Sequence, residues 1–128
     1  MLFRSKNKIF SCILMIIICG SIYGQTPSLR FLTKRIINMG PLSKDTIIKK
    51  SFSFVNEGNR VLYIEKIYKS CSCTSVVLNK KQFFQNEKGV IDVTIDTKNK
   101  IGEQSVTVHL IANTKESDHI IKICYFIN

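Results

Sequence analysis

From Ile91 to Asp96 the chain alternates without a fault. Ile91, Val93 and Ile95 share one parity, and Asp92, Thr94 and Asp96 share the other. Only an extended backbone, with a side-chain period of two, sends all the apolar members to one face. The same rhythm recurs elsewhere. Phe52 and Phe54 alternate with Ser51 and Ser53, Leu62 pairs with Ile64, Val76 with Leu78, and Val106, Val108 and Leu110 follow. Ile120 to Ile127 is apolar on both faces except at Lys122. No helical period appears after residue 24. Asn56-Glu57-Gly58-Asn59, Lys98 to Gly102 and Asn113 to Asp118 are turn material. One slip interrupts the pattern: the apolar residue after Ile64 is Ile67, which predicts a bulge near Glu65-Lys66. Asn79 to Lys88 reads as a loop. These segments predict an all-β protein, an immunoglobulin-like antiparallel β-sandwich of about seven strands. The domain runs from residue 46 to 128. Residues 25–45 form a lead-in with one possible strand, through Leu29–Leu32 and Ile36-Ile37, broken at Met39-Gly40-Pro41.

The first 24 residues belong to a different class of segment. Arg4, Lys6 and Lys8 precede an apolar run from Ile9 to Cys19, and small residues lead to Gly24. That order is a secretory signal peptide, formed as a helix and cleaved after Gly24. The run is short of the roughly 20 apolar residues that a membrane span needs, so an uncleaved anchor is the lesser alternative. A lipid on Cys19 is disfavoured because Ile16-Ile17-Ile18 offers no small residue before it. The expected location is therefore outside the cytoplasm, in the periplasm or at the cell surface, with no membrane span in the mature chain. Loss of the leader lowers the net charge from +10 to +7. The remaining charges are spread in doublets such as Lys49-Lys50 and Lys80-Lys81. No basic stripe with interleaved aromatics appears, so nucleic acid is not the expected partner.

Cleavage leaves three cysteines: Cys71, Cys73 and Cys124. An odd number leaves at least one thiol unpaired within the chain. In an extended strand Cys71 and Cys73 would be about 7 Å apart at Cα, at the limit of disulfide reach, so a bond between them requires a bend. A bond from either to Cys124 closes a loop of roughly 50 residues and would contribute about 4 kcal/mol of chain entropy. If strands 61–68, 104–112 and 119–126 share a sheet with the second in the middle, Cys124 lies roughly 9–10 Å away, beyond reach unless a loop folds over. Three free thiols are the third possibility. Soft thiolates also suit Cu(I) or Zn(II), with His109 or His119 as further ligands, but no paired zinc spacing is present. Cys71, Cys73 and Cys124 are thus the candidate redox or metal residues.

Phe52-x-Phe54-x-Asn56-x-Gly58, Leu62-x-Ile64-x-x-Ile67, Ser70-Cys71-Ser72-Cys73-Thr74 and Gly89-x-Ile91-x-Val93 stand in a fixed order, followed by Ile95-Asp96, Gly102 and Asn113. This series resembles a bacterial exported family, the domain of unknown function 1573, over residues 46–127. The resemblance implies an immunoglobulin-type sandwich related to PapD-like and major-sperm-protein-like domains, export, and a source such as the Bacteroidetes. It implies no activity. Ser72 stands where the family usually has glycine, and Gln85-Asn86-Glu87-Lys88 replaces its Pro-Gly turn.

Other chemistry finds little support. Asp92 and Asp96 share a face but lie roughly 13 Å apart along a strand, too far for most paired-carboxylate glycosidases. No Ser-His-Asp grouping or phosphate-cradling loop is visible. The expectation is a non-enzymatic binding or structural module of the cell envelope, with no cofactor and an envelope protein as partner. Phe83 and Phe84 are either core anchors or an exposed partner patch. The rival function is a periplasmic thiol-redox or metal-handling protein using Cys71-x-Cys73.

Overall fold

The computed structural model describes residues 25–128. The expected signal helix lies outside the described residues. Alternation becomes layering: Ile91, Val93 and Ile95 are buried, as are Phe52, Phe54, Leu62, Ile64, Val106, Val108 and Leu110. Nine strands result among the described residues. They are β1 (Leu29–Phe31), β2 (Ile36–Leu42), β3 (Ile47–Asn56), β4 (Leu62–Lys69), β5 (Thr74–Leu78), β6 (Gln82–Phe83), β7 (Lys88–Asp96), β8 (Gly102–Ala112) and β9 (Asp118–Ile127). One sheet has the order β1-β3-β7-β5 and the other β2-β9-β8-β4-β6. The apolar rows of both sheets meet between them, since one face of each strand must leave water. The core is a single cluster that takes residues from both sheets.

Four differences from the sequence reading concern the strands. The lead-in holds two strands rather than one. β1 pairs antiparallel with β3, and β2 pairs with β9 in the other sheet. The chain crosses between the sheets without reversing, so β2 runs parallel to β9 in a sandwich expected to be antiparallel throughout. Met39-Gly40-Pro41 does not end β2. The register shifts between Asn38 and Pro41, Gly40 adopts a φ of 70°, and its N–H donates to the Asn38 Oδ1 at 3.0 Å. A bulge on an edge strand absorbs both the glycine and the missing proline donor. The fourth difference is the pair β4–β6, whose β6 lies inside the expected loop 79–88. Together the divided lead-in and β6 raise the count from about seven to nine. The bulge expected near Glu65-Lys66 is present, as a register shift between Ile64 and Lys66.

Asn56 explains how the sandwich is tied at one end. Its side chain is buried, yet every polar site is used. The amide nitrogen donates to the Arg60 carbonyl at 2.7 Å and the Phe83 carbonyl at 3.0 Å. The amide oxygen accepts the N–H groups of Gly58 at 3.0 Å and Ser28 at 3.2 Å. One residue therefore joins the lead-in, the β3–β4 turn and β6. Gly58 follows from the same crossing, because a Cβ there would lie 2.1 Å from the Thr26 carbonyl oxygen. The Asn-x-Gly of the sequence is a structural knot.

Candidate functional site

The Ser70–Thr74 stretch carries the chain from the end of β4 to the start of β5, from one sheet to the other. Both of its ends are fixed. Ser70 donates its N–H to the Thr107 carbonyl at 3.0 Å, and its Oγ accepts the Thr107 N–H at 2.9 Å. The Cys73 carbonyl accepts the Asp96 N–H at 3.0 Å, and Thr74 beyond it is buried. Between these anchors the chain bends, with the Thr74 N–H donating to the Cys71 carbonyl at 3.2 Å. The bend brings the two Cα atoms to 5.1 Å, and Cys71 and Cys73 are joined by a disulfide. Ser72 takes no left-handed backbone; among the described residues other than glycine, only Asp45, Asn86 and Asn99 do. Serine therefore serves at the position where the family usually has glycine.

Cys124 is the free cysteine among the described residues. It sits on β9 opposite Ser105 of β8, with its thiol 4.0 Å from the Ser105 Oγ. Strand β8 separates it from β4, as the assumed strand order requires. The structure thus brings Cys71 and Cys73 together and leaves Cys124 apart. His109 holds the Asp118 carboxylate at 3.0 Å, and the His119 Nε2 lies 2.7 Å from the Thr114 Oγ1. Among the described residues no group of three His, Cys, Asp or Glu is arranged to hold a metal ion. Asp92 accepts the Ser51 hydroxyl at 2.6 Å, and Asp96 accepts the Lys98 N–H at 3.0 Å.

The Phe83-Phe84 pair divides. Phe83 is 0% exposed, with its ring edge-on to Phe54 at 4.9 Å between centroids. Gly89 makes room for both, because a Cβ there would lie 2.3 Å from the Phe54 ring and 2.7 Å from Phe83. Phe84 points the other way and is 58% exposed. Its turn is closed on itself. The Phe84 N–H donates to the Glu87 Oε1 at 2.9 Å, and the Glu87 N–H returns to the Phe84 carbonyl at 3.0 Å. Asn86 takes the left-handed conformation, with a φ of 63°, and donates its N–H to the Asn56 carbonyl at 2.8 Å. Lys80 pairs with the Glu87 carboxylate. That bond, and after it the Phe84 N–H, hold the Glu87 carboxyl below the ordinary carboxylate range.

Phe84, Tyr63, Lys80, Lys81 and Gln82 line a shallow groove of about 530 Å³. Tyr63 was the missed member. It occupies an outward position of β4 where the alternation calls for a polar side chain, and that break in pattern was its signal.

Two sheets in the orders described, with the first strand divided between them, define an immunoglobulin-like sandwich. The family model for a protein of unknown function (DUF1573) matches residues 30–127, and the chain belongs to that family. A crystal structure of a protein of unknown function from Porphyromonas gingivalis W83 is similar, with a TM-score of 0.70 at 15% identity over 80% of this chain and 48% of that one. The VesB protease of Vibrio cholerae is similar at a TM-score of 0.61 and 15% identity, over 78% of this chain and 31% of the protease. The PapD-like domain of human CEP192 gives 0.50 at 7% identity, over 82% and 87%. These likenesses concern the fold, and the chain spans less than half of the first two proteins. No curated protein matches the chain. No helix of the described residues is long and apolar enough to cross a membrane.

Proposed function

We propose that this chain is an exported, non-enzymatic binding or structural module of the bacterial cell envelope. One observation carries the reading: an aromatic ring is held out in solvent on a turn that is itself immobilised. Phe84 is exposed while its neighbours are fixed by Glu87, Asn86 and buried Phe83. A large apolar side chain presented in a fixed place loses little further freedom when a partner covers it, which favours association. Tyr63 stands beside it with a hydroxyl for a polar rim contact, and Lys80 and Lys81 frame the pair. The signal-peptide pattern of residues 1–24 supports export. In-cell cross-linking from the groove, compared between wild type and the Phe84→Ala variant, tests the reading. Loss of the wild-type adduct with the fold intact supports it, and an unchanged adduct pattern removes the patch.

The Cys71–Cys73 bond favours a second reading, a thiol-exchange protein of the same compartment. Here a substrate thiolate attacks one sulfur, a mixed disulfide forms, and the other cysteine leaves as thiolate. Mass-spectrometric thiol counting across a glutathione redox series separates the two. A bond that opens at mildly reducing ratios supports exchange; one that survives the whole series rules it out.

A further inference from the structure

The sandwich has four strand edges, and three of them are blunted. β1 is only three residues long, and its Arg30 is paired with Glu57. β2 carries the Gly40 bulge and Pro41. β4 is bulged at Glu65, carries Lys66 and Lys69, and is partly covered by β6. Such short lengths, charges, prolines and bulges keep an edge from recruiting foreign strands. β5 has none of them. It reads Thr74-Ser75-Val76-Val77-Leu78, in unbroken register with β7.

The hydrogen-bond parity of β5 shows what its open side offers. The Asp96 N–H donates to the Cys73 carbonyl, so Ser75 and Val77 turn their backbone groups toward β7. Thr74, Val76 and Leu78 turn theirs away. Thr74 is satisfied locally: its N–H meets the Cys71 carbonyl, and its carbonyl accepts from Lys69 Nζ. Among the described residues β5 has no second strand neighbour. Val76 and Leu78 therefore present two N–H and two C=O groups to the outside. The Val77 side chain beside them is 58% exposed.

Cations flank this bare edge. Lys69 lies at the Thr74 end, and Lys80 and Lys81 follow Leu78 in the chain, where they also line the Phe84 groove. Glu87 occupies Lys80, while Lys69 and Lys81 have no carboxylate partner among the described residues. We infer that β5 accepts an extended segment of another protein by strand addition, and that this segment is apolar in its middle and acidic at both ends. The assignment rests on reading the chain as a binding module; its strand pairing is on β5, and it shares only Lys80 and Lys81 with the Phe84 groove. A second copy fits less well. Two β5 strands paired about a twofold axis would set Lys69 of each copy toward Lys80 and Lys81 of the other, and like charges repel.

The test uses residues 25–128 with a displayed pool of short extended peptides, apolar at alternate central positions and randomised at the ends. Acidic ends are expected to be selected, with binding at least about tenfold weaker when the same peptide carries lysines. On binding, the Val76 and Leu78 amides gain hydrogen-exchange protection, whereas Ser75 and Val77 are protected already. A peptide N-methylated on its pairing side should lose binding, and one methylated on its far side should not. This leaves the protein unaltered. An empty selection, equal enrichment of lysine ends, or binding that leaves Val76 and Leu78 unprotected overturns the proposal. Concentration-dependent protection of those amides in the protein alone would assign the edge to a second copy instead. Because Phe84→Ala leaves β5 intact, failure here is distinguishable from failure of the groove.

Discussion

Asn56 shows how one side chain can hold three segments. Its four hydrogen bonds are made in a buried site, where an abandoned donor or acceptor is costly. Replacing it with alanine is expected to lower stability by about 2–4 kcal/mol, read as a shift in urea midpoint at constant slope. The two phenylalanines should separate cleanly. Phe83→Ala empties a site in the core and should cost about 3–5 kcal/mol, whereas Phe84→Ala should stay within about 0.5 kcal/mol. Thermal unfolding of both variants checks this. His119 predicts a pH dependence. Burial lowers its imidazole below the ordinary value of 6.5, and Arg35 adds to the effect, against opposing pulls from Asp118 and Glu116. The unfolded chain then binds a proton that the folded chain refuses. Stability is full above about 6.5 and declines as pH falls below it, toward the lowered folded value. In His119→Gln that part of the slope should disappear from a series of urea titrations between neutral and mildly acid pH. At this scale the alternation marked Phe52 and Phe54 as core. It could not divide Phe83 from Phe84, because two consecutive apolar residues satisfy either parity until a neighbour, here Gly89, opens space for one of them.

The lead-in strands illustrate the element scale. β1 covers the outer edge of β3, and β2 covers the outer edge of β9. Removing residues 25–45 would bare both edges and strip Leu29, Phe31, Ile37, Met39 and Leu42 from the flank of the core. The truncated chain is expected to unfold at lower urea and to aggregate, measured by light scattering during refolding. A reading that starts the domain at Thr46 misses this, because the strands of a lead-in are short and Met39-Gly40-Pro41 resembles a break. The edge position of β2 is what lets that tripeptide stay in a strand, and edge position is not written locally. The cysteine stretch has the same lesson. Spacing allowed a Cys71–Cys73 bond only if the chain bent. The bend comes from crossing between sheets, with Ser70 held to β8 and Cys73 to β7.

For the whole molecule, the pairing of Ile36 with Lys122 joins the two ends of the described chain. A sandwich closed by such distant contacts pays loop entropy before its contacts form. Refolding of residues 25–128 is expected on the millisecond-to-second scale characteristic of such topologies, followed by stopped-flow tyrosine fluorescence with Tyr125 as the buried reporter. By itself the sequence determined the class of fold, the buried parity of β3, β4, β7 and β8, the bulge after Ile64 and the family likeness. All of these follow from side-chain order along the backbone, and an extended chain converts that order directly into faces. Tertiary structure alone decided the parallel β2, the choice of Cys73 over Cys124 as the partner of Cys71, the burial of Phe83 and the open side of β5. Each of these depends on which distant segment arrives as a neighbour. Strand pairing is set by the packing of the whole core, and no local period encodes it.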